Sequence, residues 1–221
     1  MAAVALLALL LSLGAWQGRR AEEKRAIQAT LDARATQPEV LLAGAVPDAA
    51  PLLFRRVRAR GEWIGERQIF IDNRIHEGRA GFEVVTPLRL AGTRDAVLVD
   101  RGWVERDNAL YPGHPKVAVP TAPAEVTGIA IRPPAHVLEL SPSTVAGDTW
   151  QNLSIERYAA QSGLPLLPVV VLADPPGAGL AAAHERPDAG VMKHVEYQLT
   201  WYALAATTLV LWAVLNVSRV R

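Results

Sequence analysis

The chain contains no cysteine. That absence excludes a disulfide framework, a thiolate-held metal, an iron–sulfur cluster and a sulfur-ligated copper centre, since each needs the sulfur as bond partner or ligand. It leaves the compartment open, because exported bacterial proteins also do without disulfides. A dominant charge is missing as well: 23 Lys and Arg stand against 22 Asp and Glu, for a net charge of +1. Nucleic acid is therefore disfavoured as a partner, because phosphate binding needs concentrated positive surface. Catalytic signatures are also lacking. There is no Gly-x-Ser-x-Gly elbow, phosphate loop, His-Glu-x-x-His pair or dinucleotide glycine fingerprint. The five histidines (His76, His114, His136, His184 and His194) show no metal-ligand spacing. No feature nominates an enzyme.

What is present is apolar length at both ends. Residues 199–217 carry no Asp, Glu, Lys, Arg or His and stop at Ser218-Arg219-Val220-Arg221. About 20 apolar residues at ~1.5 Å rise cross a hydrocarbon core of roughly 30 Å, so this run reads as a transmembrane helix. Residues 2–16 are apolar too, and Arg19, Arg20, Lys24 and Arg25 follow abruptly. A cleaved signal peptide is the competing reading. No Lys or Arg precedes the run, however, and Leu13-Gly14-Ala15 before Trp16 is a poor cleavage site. Trp16 and Gln17 read better as an interfacial anchor. The expected organisation is a first span over 1–17, a β-rich domain over 18–193, a second span over 194–217 and a tail over 218–221. Both termini then share one side. Charge does not say which, because Arg219 and Arg221 compete with the basic cluster after the first span.

The middle is soluble in character. Residues 21–35, free of Gly and Pro, continue the first helix, and 38–51 reads as a loop. Arg56-Val57-Arg58-Ala59-Arg60 alternates with the period of a half-buried strand. Runs at 68–72, 81–90, 96–105, 125–131 and 168–173 are further strand candidates, rich in Val and Ile and bounded by Gly, Pro or Asn. One internal helix is expected over 154–161, with Ser154 as N-cap and Gly163 at its end. Short strands with turn signals between them predict a mainly antiparallel sheet or barrel with one or two short helices, flanked by the two membrane helices. The segment 175–187 reads as a flexible lead into the second span.

Most conspicuous residues have an ordinary explanation. His114 in Pro112-Gly113-His114-Pro115 is a turn residue, and the strand face Arg56, Arg58, Arg60 is a solvated or headgroup-facing surface before it is an anion site. Trp103 after Gly102 reads as a core residue at a bend. The threshold of the second span differs. His194, Tyr197 and Trp201 stand at i, i+3 and i+7, one stripe on a helix. Antiparallel packing of the spans would bring Trp16, Gln17 and Arg20 beside that stripe. A neutral imidazole can ligate haem iron, flat aromatics can pack on a porphyrin, and Arg can pair with propionates. An ordinary interfacial aromatic belt has the same composition. Spacing leaves both open.

Several blocks now fall into order: Leu13-Gly14-x-Trp16-Gln17-x-x-Arg20-x-x-x-Lys24, Arg60-Gly61-Glu62, Gly81-Phe82-Glu83-Val84-Val85-Thr86-Pro87-Leu88, Val97-Leu98-Val99-Asp100-Arg101-Gly102-Trp103-Val104 and His194-x-x-Tyr197-x-x-Thr200-Trp201. In this order the chain resembles the Surfeit locus protein family of cytochrome c oxidase assembly factors, over nearly its whole length. The resemblance implies a two-span protein of the bacterial inner membrane with its domain in the periplasm (the intermembrane space in mitochondria) and a cytoplasmic tail. It implies a non-enzymatic role: binding haem a and assisting its insertion into oxidase subunit I, with haem a synthase as a second partner. His194 matches the family's proposed haem ligand, with Tyr197, Trp201, Trp16, Gln17 and Arg20 as expected surroundings. Lys193 and Asp100 depart from the Asn that the family often has at these two places. A haem-free membrane scaffold that stabilises an oxidase intermediate is the alternative.

Overall fold

The computed structural model describes residues 2–110, 113–133, 145–183 and 189–217, so His136, His184 and the 218–221 tail lie outside the described residues. The chain divides into two compact units, residues 34–186 and a second made from its two ends. The first unit holds β1 (Val40–Leu42), β2 (Arg56–Trp63), β3 (Ile69–His76), β4 (Arg79–Leu90), β5 (Ala96–Glu105), β6 (Ala124–Ile131), β7 (Val145–Ala146), β8 (Thr149–Trp150), the helix α2 (Ile155–Ser162) and β9 (Leu166–Ala173).

Five of these strands close on themselves. β2 pairs antiparallel with β6, and β6 antiparallel with β9. β9 runs parallel to β5, β5 antiparallel to β4, and the C-terminal end of β4 returns to β2 through Gly61–Leu90 and Trp63–Leu88. The result is a small barrel from which β3, β8 and β7 extend on one side and β1 on the other. The mainly antiparallel architecture expected from the strand spacing is present. The β5–β9 pair is its principal parallel element.

Alternation along each strand sorts side chains between two cores. Val97 and Val99 of β5, Leu88 and Leu90 of β4, and Leu167, Val169 and Val171 of β9 meet Val57 and Ala59 of β2 in one buried cluster, the barrel interior. Their neighbours of opposite parity, Leu98 and Val170, join Ile69, Ile71, Val85 and Trp150 in a second cluster, which Ile155 and Tyr158 of α2 cover. β4 and β5 are consequently buried on both faces. Helix α2 begins where Ser154 Oγ accepts from Arg157 N at 3.2 Å and ends at Gly163, whose φ of 70° is left-handed. These are the cap chemistries read from the sequence.

Three local readings change. The expected loop over 38–51 contains β1, which pairs in parallel with Val57–Ala59 through backbone groups. The basic strand face is neutralised: Arg58 contacts Glu39 at 2.5 Å and Glu125 at 2.8 Å, Arg60 contacts Glu125 at 2.6 Å, and Arg56 contacts Asp174 at 3.3 Å. The Arg60 hydrogen bond, then the charges of Arg60 and Arg58, hold the Glu125 carboxyl below the usual carboxylate range. The lead after Pro175 is pinned to β5, since Gly177 N donates to Arg101 O and Trp103 exchanges two backbone bonds with Ala181. Gly102 makes that approach possible: its φ is 132°, and a Cβ there would stand 2.5 Å from Ala181 O. Trp103 is buried, as expected, and donates to Arg74 O at 3.0 Å.

His114 does more than occupy a turn. Its ring stacks on Phe70 with centroids 3.5 Å apart, and Nε2 lies 3.0 Å from Asp148 Oδ2. Arg101 is buried and donates to Gln68 Oε1 at 2.8 Å and Ala118 O at 2.9 Å, with its guanidinium 5.4 Å from the Trp63 ring centre. Desolvation by burial pushes its pKa below the ordinary arginine value. Gln68 completes the network by donating to Val117 O and accepting from Thr86. Arg101 and Gln68 thus tether the extended stretch around Val117–Ala118 to the barrel. Replacing Arg101 by Met is expected to destabilise the detergent-solubilised protein by about 1–2 kcal/mol, because Gln68 Oε1 and Ala118 O both lose their charged donor. Urea unfolding followed by tryptophan fluorescence measures this, and limited proteolysis should find new cleavage within 113–123.

Candidate functional site

The second unit is a pair of helices, α1 (Ala2–Ala35) and α3 (Val191–Val217), both long and apolar enough to cross a membrane. Residues 21–35 do continue the first helix without a break. Contacts between the helices run in opposite chain directions. Gln28 Oε1 accepts from Ala189 N at 2.8 Å, Gln17 meets His194, Gly18 lies under Gln198, Gly14 under Tyr202, and Ala3, Val4 and Leu7 reach Thr208, Leu209 and Trp212 around an apolar cavity of about 110 Å³. The pair is therefore antiparallel.

The seam is set by small residues. Leu10, Gly14 and Ala21 are the buried positions of α1, and Gly14-x-x-x-Gly18 is a close-packing spacing for apolar helices. A Cβ on Gly14 would stand 2.3 Å from the Tyr202 ring, and one on Gly18 2.5 Å from the Gln198 amide. The threonine hydroxyls of α3 are satisfied within the helix. Thr200, Thr207 and Thr208 donate to the carbonyls of Glu196, Ala203 and Leu204, as a helix surrounded by hydrocarbon requires.

At the polar end a hydrogen bond between two side chains crosses the seam. His194 Nδ1 lies 2.8 Å from Gln17 Oε1, with both groups partly buried. An amide oxygen only accepts, so this contact is a hydrogen bond in the tautomer that carries its proton on Nδ1. In that tautomer Nε2 keeps its lone pair and is the nitrogen left for a metal or another donor. Of the six residues expected around this point, the structure joins these two. Tyr197, one turn along α3, is 48 % exposed, and Trp201 is half-buried. Trp16 is 47 % exposed and lies about 200° around α1 from Gly14, on the side away from the seam. Arg20 is exposed and bound to Glu23 at 2.7 Å. Among the described residues, neither Trp16 nor Arg20 has a hydrogen bond or ring contact with His194. Gly18 and Gln198 are the site neighbours that the sequence reading passed over. The small-residue spacing at Gly14 and Gly18 was the available signal for both.

Two membrane-length helices bracketing a closed β-barrel, with a histidine fixed between the helices, define the class. The chain belongs to the SURF1 family, whose model matches residues 4–206. It is similar to a SURF1-like protein of Monosiga brevicollis, 27 % identical over 217 residues that cover 92 % of this chain and 82 % of that one. A SURF1-like protein of Rickettsia conorii is 25 % identical over 213 residues, covering 93 % and 86 %. A shorter match, 29 % identical over 97 residues, covers 43 % of this chain and 25 % of the cytochrome oxidase assembly protein SHY1 of Saccharomyces cerevisiae.

The seam makes a direct prediction. Gly14→Val is expected to cost the helix pair about 1–3 kcal/mol through overpacking against Tyr202. Combining it with Tyr202→Ala should recover most of that loss. Thermal unfolding of the three variants in detergent measures both effects.

Proposed function

We propose that this protein is a membrane-anchored assembly factor for cytochrome c oxidase, which binds haem a through His194 and assists its insertion into subunit I. The observation that carries the reading is the imidazole at the helix seam, whose Nδ1 meets Gln17 Oε1 and whose Nε2 has no hydrogen-bond partner among the described residues. Family membership and the name of the yeast relative support the oxidase part of the proposal.

The residues fit the group by donor chemistry. A neutral imidazole presenting one lone pair is a suitable axial ligand, and Tyr197 and Trp201 on the same helix stripe offer aromatic faces. Lys193, exposed and adjacent to His194, supplies a cation for a propionate. Arg20 could do so only by leaving Glu23. When bound, haem a would supply the redox-active iron that the oxidase needs. This chain's task is to hold the group at membrane depth and release it. A single protein ligand on a solvent- or lipid-facing helix pair suits release, because few bonds must break. On this reading the protein is not an enzyme. Its barrel faces the periplasm of a bacterial inner membrane, and its partners are subunit I and haem a synthase.

His194→Ala is expected to lose most haem when purified from cells that make haem a, as read by the visible spectrum and haem-to-protein ratio. Full retention would sink the ligand assignment. Wild-type protein that lacks a Soret band yet co-purifies with oxidase subunits would favour the haem-free scaffold instead.

A further inference from the structure

The geometry points to Gln17 as the positioning residue that selects the tautomer of His194 and leaves Nε2 as the ligating nitrogen, an assignment that rests on the haem reading above. Gln17 was expected to line the cofactor. The structure instead puts its amide oxygen on the imidazole, 2.8 Å from Nδ1. It therefore acts on a bound group through the ligand and not by touching it.

Three observations support this role. First, the acceptor is held by the backbone around it. At Gly14 and Gly18, on either side of Gln17 in sequence, α1 approaches Tyr202 and Gln198 too closely for a Cβ to fit. Second, both partners are partly buried between the helices, so an unmade bond there is only incompletely replaced by one to water. Third, the chemistry matches what a metal-ligating histidine needs. Donation from its second nitrogen to a fixed acceptor sets the tautomer, fixes the ring and raises the basicity of the ligating nitrogen. Ligand and acceptor sit on different helices, so the two ends of the chain must pair before the site is complete.

The test uses the full-length protein in detergent, labelled with ¹⁵N-histidine, the His194 signals being assigned by their loss in His194→Ala. Wild type should show His194 with its proton on Nδ1. Gln17→Leu should move the proton to Nε2, and Gln17→Glu, which keeps an acceptor of the same length, should retain it on Nδ1. Titration with haem a should then show binding weakened by about ten- to a hundredfold in Gln17→Leu and largely restored in Gln17→Glu. The iron–histidine stretching band of the reduced protein should fall in frequency in Gln17→Leu alone. A wild-type His194 protonated on Nε2 overturns the assignment, and so does a Gln17→Leu variant with unchanged affinity and band position. If the tautomer follows Gln17 but haem binding is indifferent to His194, the haem reading fails and the positioning of the ring by Gln17 stands.

Discussion

Closure of the barrel depends on a change of partner within one strand. β4 is 12 residues long, and no single neighbour covers that edge. Its first half pairs with β3, from Arg79–His76 to Val85–Ile69, and its last residues pair with β2. Between the two lies Pro87, whose carbonyl accepts from Ile64 N as the chain passes from β2 toward β3. A proline can donate nothing to a ladder, so it fits where the strand trades one neighbour for another. Both main buried clusters of the domain depend on that hand-over. The interior cluster exists because β2 returns to β4, and the second cluster exists because β3 is diverted outward and leaves a face for α2 to cover.

The helix pair obeys a different constraint. In hydrocarbon the gain from burying apolar area between helices largely vanishes, so packing depends on close backbone approach and on polar groups finding partners. Gly14 and Gly18 provide the first, and the Gln17–His194 bond is an instance of the second. The same bond that helps specify the pairing also prepares the imidazole, so structure and proposed chemistry share one interaction.

Much of the β domain was legible because its signals are local. Alternation at residues 56–63 and the Ser154 and Gly163 caps need no tertiary information. The short strands were not legible. β1 pairs through three backbone positions with no pattern of its own, and β7 and β8 have two residues each. Nor does sequence order reveal that β9 inserts between β5 and β6, a long-range pairing. At the site, antiparallel packing of the spans placed Trp16, Gln17 and Arg20 near His194 together, but their positions around the helix separate them. Gln17 lies beside the small-residue face, whereas Trp16 turns away from it. The stripe of His194, Tyr197 and Trp201 is real as a helix face, yet beyond His194 the seam runs through Gln198, Tyr202 and Ala205.

The parallel pairing of β9 with β5 also dictates an order of events during synthesis. A parallel neighbour cannot be reached by a tight turn, and here the crossover spans residues 106–165. Until β9 has left the ribosome, β5 and β6 each present an unpaired edge, and the barrel is an open sheet. Such edges are templates for pairing with other chains. The final strand is thus also the cap on aggregation, and α3 follows it directly in the nascent chain. A ribosome that stalls between β6 and β9 would leave a nearly complete domain in its most adhesive form.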